Sequence, residues 1–248
     1  MENDFFFPPY VGESYGKPDN FFNGKKVLVI GNSHYCDEGY DISKSKGEYG
    51  TGCWSSCKNY MKEKCPNKNE DLKERFTWTK DAISDTMELE NFAKAKSNKL
   101  TTYLKLAIIM DESFRGQNNL NENESYLTFW NSIAFYNFLQ AAVPSNNSQG
   151  TPTEIKKSKV IFENLFPFMD SKYSLPDIII VLGEKHVFNH FLEFSNFELV
   201  ESRLGKFRYA GKEIDTICIY HPSARKSYER HREIIKSFAP ELIYNESK

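Results

Sequence analysis

The chain has 248 residues, 40% of them hydrophobic and 27% charged, with a formal net charge of −2; this is the balance of an ordinary globular protein, and no apolar stretch reaches the length needed to cross a bilayer. Such a chain has no global attraction for nucleic acid, so any such binding has to come from a local patch. The opening MENDFFFPPY has no basic region ahead of its short apolar patch and does not read as a secretory signal, so a cytoplasmic protein without a membrane partner is expected.

In chain order, the first strand signal is Val27–Ile30, a short apolar run that stops at Gly31 and is followed by Asn32, Ser33, His34 and Tyr35. Residues 36–75 then form a long polar insertion, unusual in a compact domain unless it is functional or tied by a metal. Four of the five cysteines, Cys36, Cys53, Cys57 and Cys65, crowd into this insertion. Thiolates in a loop-rich segment are the ligand type of a structural zinc or iron–sulfur site, although their spacing contains no paired Cys-x-x-Cys. A helix is expected over Asp81–Lys96, an exposed loop without apolar anchor over Arg115–Ser125, and a short helix over Tyr126–Asn131.

A second buried strand is expected at Ile133–Phe138. TPTEIKKSKVIFENLF then opens with a Thr-Pro-Thr-Glu start signal and sets Ile155, Val160, Ile161 and Leu165 on one face, which predicts a helix over Thr153–Phe166. Ile178–Leu182 and Thr216–Tyr220 complete four short, β-branched-rich runs of the kind that form parallel strands buried on both faces. Cys218, inside the last of them, reads as a buried apolar residue. A final helix is expected at Ser227–Phe238, and around it Arg225, Lys226, Arg230, Arg232 and Lys236 outnumber Glu229 and Glu233. Strands alternating with helices predict one α/β domain over residues 1–248, a three-layer αβα arrangement around a central four-stranded parallel sheet.

Ligands of open parallel sheets sit beyond the carboxyl ends of the strands. Gly31–Tyr35 follow the first strand, Asn137 closes the second, Gly183 follows the third, and His221, Pro222 and Ser223 follow the fourth, so the polar tips are expected on one edge. An amide at the end of an apolar strand either caps a turn or faces a ligand.

These tips resemble the uracil-DNA glycosylase superfamily, most closely its family 4-like branch. The residues that carry the resemblance are VIGNSHY, IAFYNFLQ and IYHPSAR, with the connecting NFLQAAVPSNNSQGTPTEIKKSKVIFENLF and LPDIIIVLGEKH in the same order as in that family. The resemblance spans about Val27 to Phe238. It implies a monofunctional glycosylase that flips a base from DNA into a pocket and hydrolyses its N-glycosidic bond, leaving an abasic site. His221 would donate to the negative charge developing on the base, and Asn137 would read the base edge. Gly31, Ser33 and Tyr35 would line the pocket, while Ser223, Arg225 and Lys226 would hold phosphates. ERFTWTKDAI is similar to the element whose Phe stacks on the flipped base, which assigns that role to Phe76 unless it is a core residue. No cofactor is implied for the reaction; DNA is the implied partner, and a monomer is expected.

The first motif departs from the family. Where the family places Glu directly after the glycine, or Asp or Asn one residue later, this chain has Asn32 and Ser33. Asn32 can orient a water but cannot take its proton. His34, in the position of the usual proline, or Asp37 and Glu38 beyond it, are the alternatives for the missing function. Tyr35 matches the position where the uracil-specific branch inspects the base at C5, so the resemblance implies a substrate that is uracil or a modified pyrimidine of the kind found in some phage genomes. Two rival readings differ in class: a non-catalytic nucleic-acid binder on the same fold, and an SGNH-type hydrolase with Ser33 as nucleophile. The second lacks the Asp that family places three residues before its histidine, where this chain has Cys218.

Overall fold

The structure is a computed structural model that describes residues 5, 7–35, 78–97, 100–140, 142–143, 152–183, 187–224 and 226–243. Its center is a mixed seven-stranded sheet built from β1 (Tyr10–Val11), β2 (Val27–Gly31), β4 (Ile133–Asn137), β6 (Ile178–Leu182), β7 (Phe197–Glu201), β8 (Leu204–Tyr209) and β9 (Lys212–Ile219), in the order β1-β4-β2-β6-β9-β8-β7. The expected sheet had four strands; the observed one is wider and mixed. Strands β4, β2, β6 and β9 pair parallel in that order. On one side β1 pairs antiparallel with β4, and on the other β7 and β8 add an antiparallel hairpin to β9. Apart from this sheet, β3 (His34–Tyr35) and β5 (Ala142–Val143) pair parallel.

Every residue of β2, β4 and β6 is buried, which is why these strands read as unbroken apolar runs. Their alternate side chains feed two cores. On one face Val27, Val29, Phe135, Ile180 and Ile219 meet α1 (Trp78–Met87), α3 (Thr101–Met110), α4 (Glu124–Asn131) and α8 (Tyr228–Phe238). On the other, Leu28, Ile30, Tyr136, Ile179 and Val181 meet α5 (Pro152–Glu163), α6 (Leu165–Lys172) and the single turn α7 (Asn189–Phe191). Among the described residues, no helix is long and apolar enough to cross a membrane.

Helix boundaries differ from expectation for local reasons. The helix expected over 81–96 is two, α1 and α2 (Phe92–Ser97), because Asn91 Oδ1 accepts from the N–H groups of Ala93 and Lys94 and starts a new helix. The helix expected to reach Phe166 stops at Glu163, because Pro167 has no N–H to return to that carbonyl; Pro167 falls instead in the first turn of α6, where no intrahelical donor is needed. The segment expected to be an unanchored loop is held by Leu120, which is buried and whose N–H donates to the Glu90 carbonyl.

The chain runs from β2 to its neighbor β4 and then crosses back over β2 to β6. That reversal makes the carboxyl ends of β2 and β6 the point where the two crossovers part and leave a crevice.

Candidate functional site

The residues that end the parallel strands gather at this switch point of the sheet. Gly31 stands opposite Asn137 in the β2–β4 register, and the ladder continues past both strands through Phe138 N–H to Gly31 O at 3.0 Å and Leu139 N–H to Asn32 O at 2.8 Å. Asn32 and Asn137 are buried. A Cβ added to Gly31 would lie 2.4 Å from Asn137 Oδ1 and 2.8 Å from Phe135 Cζ. The absence of a side chain at Gly31 is therefore what lets the Asn137 carboxamide lie across the end of β2. Asn32 Nδ2 approaches Ser33 Oγ at 3.4 Å, a weak contact between neighboring side chains.

Gln140, which sequence reasoning missed, fixes the outer side of this edge. Fully buried, it accepts from the Phe7 N–H at 2.9 Å and donates to the Phe7 and Asn137 carbonyls. Its own N–H donates to Ser158 Oγ on α5 at 2.9 Å. One side chain thus ties the N-terminal segment to the end of β4, and its backbone ties that end to α5. A buried glutamine three residues after a strand-terminal Asn was the available signal, because an amide in that position needs partners.

Across the crevice, Gly183 follows β6 with φ at +104°, a conformation that favors glycine, and an added Cβ there would lie 3.5 Å from His221 Cβ. Gly183 N–H donates to Ile219 O at 3.0 Å, which holds this turn against the end of β9. His221 follows in a tight loop: the Ser223 N–H donates to His221 Nδ1 at 3.2 Å, and Ser223 Oγ lies 2.6 Å from the same nitrogen. Since an amide N–H only donates, Nδ1 carries a lone pair and the neutral ring holds its proton on Nε2.

Behind the loop, Tyr220 lies under the Arg203 guanidinium at 4.1 Å from its ring center, with Lys226 at 5.4 Å and His231 edge-on at 5.8 Å. His231 is buried in α8 and its Nδ1 lies 2.8 Å from the Ser227 carbonyl. Burial lowers its pKa, against the opposing pull of the Ser227, His221 and Tyr220 backbone.

The basic cluster around α8 divides into unlike parts. Arg232 is buried and donates to the carbonyls of Ile108 and Ile109 at the end of α3 and to Glu112, so it fastens two helices and is not offered to a ligand. Arg230 is paired with Glu233 at 3.1 Å on the helix surface. Lys226 remains beside the His221 loop.

The fold thus brings Gly31, Asn32, Ser33, Asn137, Ser223 and His221 to one edge of the sheet. His34 and Tyr35 lie in β3, alongside Ala142 and Val143; their side chains lie outside the described residues, as do Phe76, Arg225, Cys36, Cys53, Cys57 and Cys65. Among the described residues, no group of three or more His, Cys, Asp or Glu side chains is gathered to hold a metal. Cys218 is buried in β9. No protein-family model matches this chain, and no curated protein matches it in sequence.

Proposed function

We propose that this protein is a monofunctional DNA glycosylase with a uracil-DNA glycosylase-like fold, acting on uracil or a modified pyrimidine. The observation that carries the reading is the paired character of the two strand ends: an imidazole whose Nδ1 accepts from the Ser223 amide, leaving Nε2 to donate, at one end, and a buried carboxamide at the other. His221 follows β9 and Asn137 ends β4, three interstrand spacings apart, roughly 14 Å of sheet at about 4.8 Å each.

The chemistry follows from these groups. The bond from C1′ of the sugar to the base nitrogen breaks and its electron pair leaves with the base, so negative charge grows on the base oxygen. His221 donates there from Nε2, where a fixed donor is most effective because it needs no reorganization. Asn137 offers a donor and an acceptor to the base edge. Water adds to C1′, and its proton passes to the departing base or to solvent. Asn32 and Ser33 orient that water without accepting its proton, which suits a reaction in which bond breaking leads.

The test is incubation of the protein with single- and double-stranded DNA carrying uracil, hypoxanthine or modified pyrimidines, with abasic sites read by alkaline cleavage. The expected result is release of one base by wild type, with His221→Ala slower by about 10²–10³-fold, the usual cost of one transition-state donor, and DNA affinity kept. The lack of a carboxylate between Gly31 and Tyr35 favors a second reading, a nucleic-acid binder without turnover. Intact DNA binding with no release from any of these bases would select it.

A further inference from the structure

Beside the His221 loop the surface opens into a cleft of about 360 Å3, within the roughly 300–1,000 Å3 range of ligand sites. Its walls come from three separate parts of the chain: Lys105 from α3, Arg115 from the turn after it, and Ser223, Lys226 and Ser227 from the loop into α8. Three cations therefore line one cleft, with Glu229 as the acidic residue in its wall.

The acidic groups nearby offset only part of that charge. Glu229 is held ionized at the start of α8 by its own backbone N–H and the Ser227 side chain, with Arg115 and Arg232 as smaller causes, so it offsets one of the three positive charges. Glu112 lies 3.6 Å from Arg115 but also binds Arg232, so one carboxylate serves two guanidinium groups. Arg115 is further positioned with its guanidinium 5.5 Å from the center of the Tyr228 ring. Lys105 and Lys226 have no carboxylate partner among the described residues. The cleft is thus a net cationic concavity with hydroxyl donors, and it shares Pro222 and Ser223 with the loop that carries His221.

We propose that this cleft is a phosphate-binding site, with Lys105 and Arg115 as its far wall and Lys226 as its near wall. The inference rests on the glycosylase reading for one thing, the carrier of the phosphate, which is then a phosphodiester of the DNA strand adjoining the extruded nucleotide. The phosphomonoester of a free nucleotide has the same chemistry and would occupy the same place. Lys105 and Arg115 are more than a hundred residues from His221 in sequence, so the fold alone assigns them to it.

The experiment measures binding separately from base release, by fluorescence anisotropy of a labeled single-stranded oligonucleotide with ordinary bases over a range of salt concentrations. For the phosphodiester, Lys105→Met and Arg115→Met are each expected to weaken binding about fivefold and to reduce the log–log salt slope by about 0.7, the share of one phosphate contact on single strands. Lys105→Arg keeps the charge and is expected to retain both, which separates a lost contact from a damaged fold. Lys206→Met, in the β8 ion pair with Glu213, serves as a control and should change neither. A deoxynucleoside monophosphate is titrated in parallel. If the variants lose the monophosphate but keep the oligonucleotide slope, the phosphate site stands and its carrier is a free nucleotide, which counts against the DNA reading. Unchanged affinity and slope for both ligands, or no binding of either by wild type, overturns the site. Base release with unchanged slopes would leave the glycosylase reading standing without it.

Discussion

The amide N–H of Ser223 points at Nδ1 of His221 from 3.2 Å, whereas ten residues later His231 turns its own Nδ1 toward the Ser227 carbonyl at 2.8 Å. One ring must accept at Nδ1 and the other must donate there, so in their neutral forms the two imidazoles are opposite tautomers. Nitrogen-15 NMR of histidine side chains is expected to show His221 protonated on Nε2 and His231 on Nδ1. Ser223→Ala removes the hydroxyl but keeps the amide, so His221 should hold its tautomer. Base release should then fall by no more than about fivefold, the value of one neutral hydrogen bond of about 1 kcal/mol. A His221 ring protonated on Nδ1 at neutral pH would remove the basis for its assigned role.

Gly31 and Asn137 are directly opposed at the ends of β2 and β4. An alanine methyl at position 31 would meet Asn137 Oδ1 at 2.4 Å and Phe135 Cζ at 2.8 Å, so both side chains must shift. Gly31→Ala is expected to cost about 1–3 kcal/mol, the usual range for overpacking a core, and to reduce base release more than Asn137→Ala does. Because the two residues touch, combining the changes should cost less stability than their sum. Thermal melts of the two single variants and the double variant measure this. Strict additivity would mean that the carboxamide does not depend on Gly31 for its place.

The four central strands were legible because each is buried on both faces and therefore reads as a continuous apolar run bounded by polar residues. The hairpin β7–β8 was not. Its edge strand FELVE is mostly exposed, and the burial of β8 comes from alternate residues such as Gly205 and Phe207. Helix α3 was hidden for the opposite reason: Leu106 through Met110 are buried all round, so no polar stripe marks a helical period. At the candidate site, the strand-end positions of Gly31, Asn137 and His221 were legible because polar residues interrupt the apolar patterning there. Lys105 and Arg115 could not, since nothing local distinguishes them from surface cations until the fold sets them across from Ser223.

Arg232 gives a stability prediction that separates it from its basic neighbors. Its guanidinium satisfies the carbonyls of Ile108 and Ile109 at the end of α3, where no intrahelical donor remains, and also binds Glu112. Arg232→Met keeps much of the bulk but leaves those buried acceptors bare, with an expected cost of about 2–3 kcal/mol in chemical denaturation. Arg230→Met, which breaks an exposed pair with Glu233, should leave the denaturation midpoint nearly unchanged, because an exposed ion pair contributes little. Equal effects would contradict the structural role given to Arg232.

Asp177 lies just before β6, at the end of the sheet remote from the crevice, and ties three strand starts together. It accepts from Lys26 N–H at 2.9 Å and from Lys212 Nζ at 2.7 Å, with Lys26 Nζ at 3.5 Å. Partial burial acts to raise its pKa, but the bonds from Lys212 and Lys26 outweigh that effect and hold it below the ordinary aspartate value. Its ionized form is therefore favored by folding, so the stabilization is fully present above the unfolded-state pKa of about 3.9. It is lost as the pH falls through the lower folded-state value. Asp177→Asn should cost about 1 kcal/mol at pH 7, a modest figure because the group is partly exposed. The gap to wild type should narrow as urea melts are taken from pH 7 to pH 3, and a gap that stays constant would show that the charge of Asp177 contributes nothing. Base release and the salt slope of DNA binding should be unchanged in this variant, since it acts at the opposite end of the parallel strands.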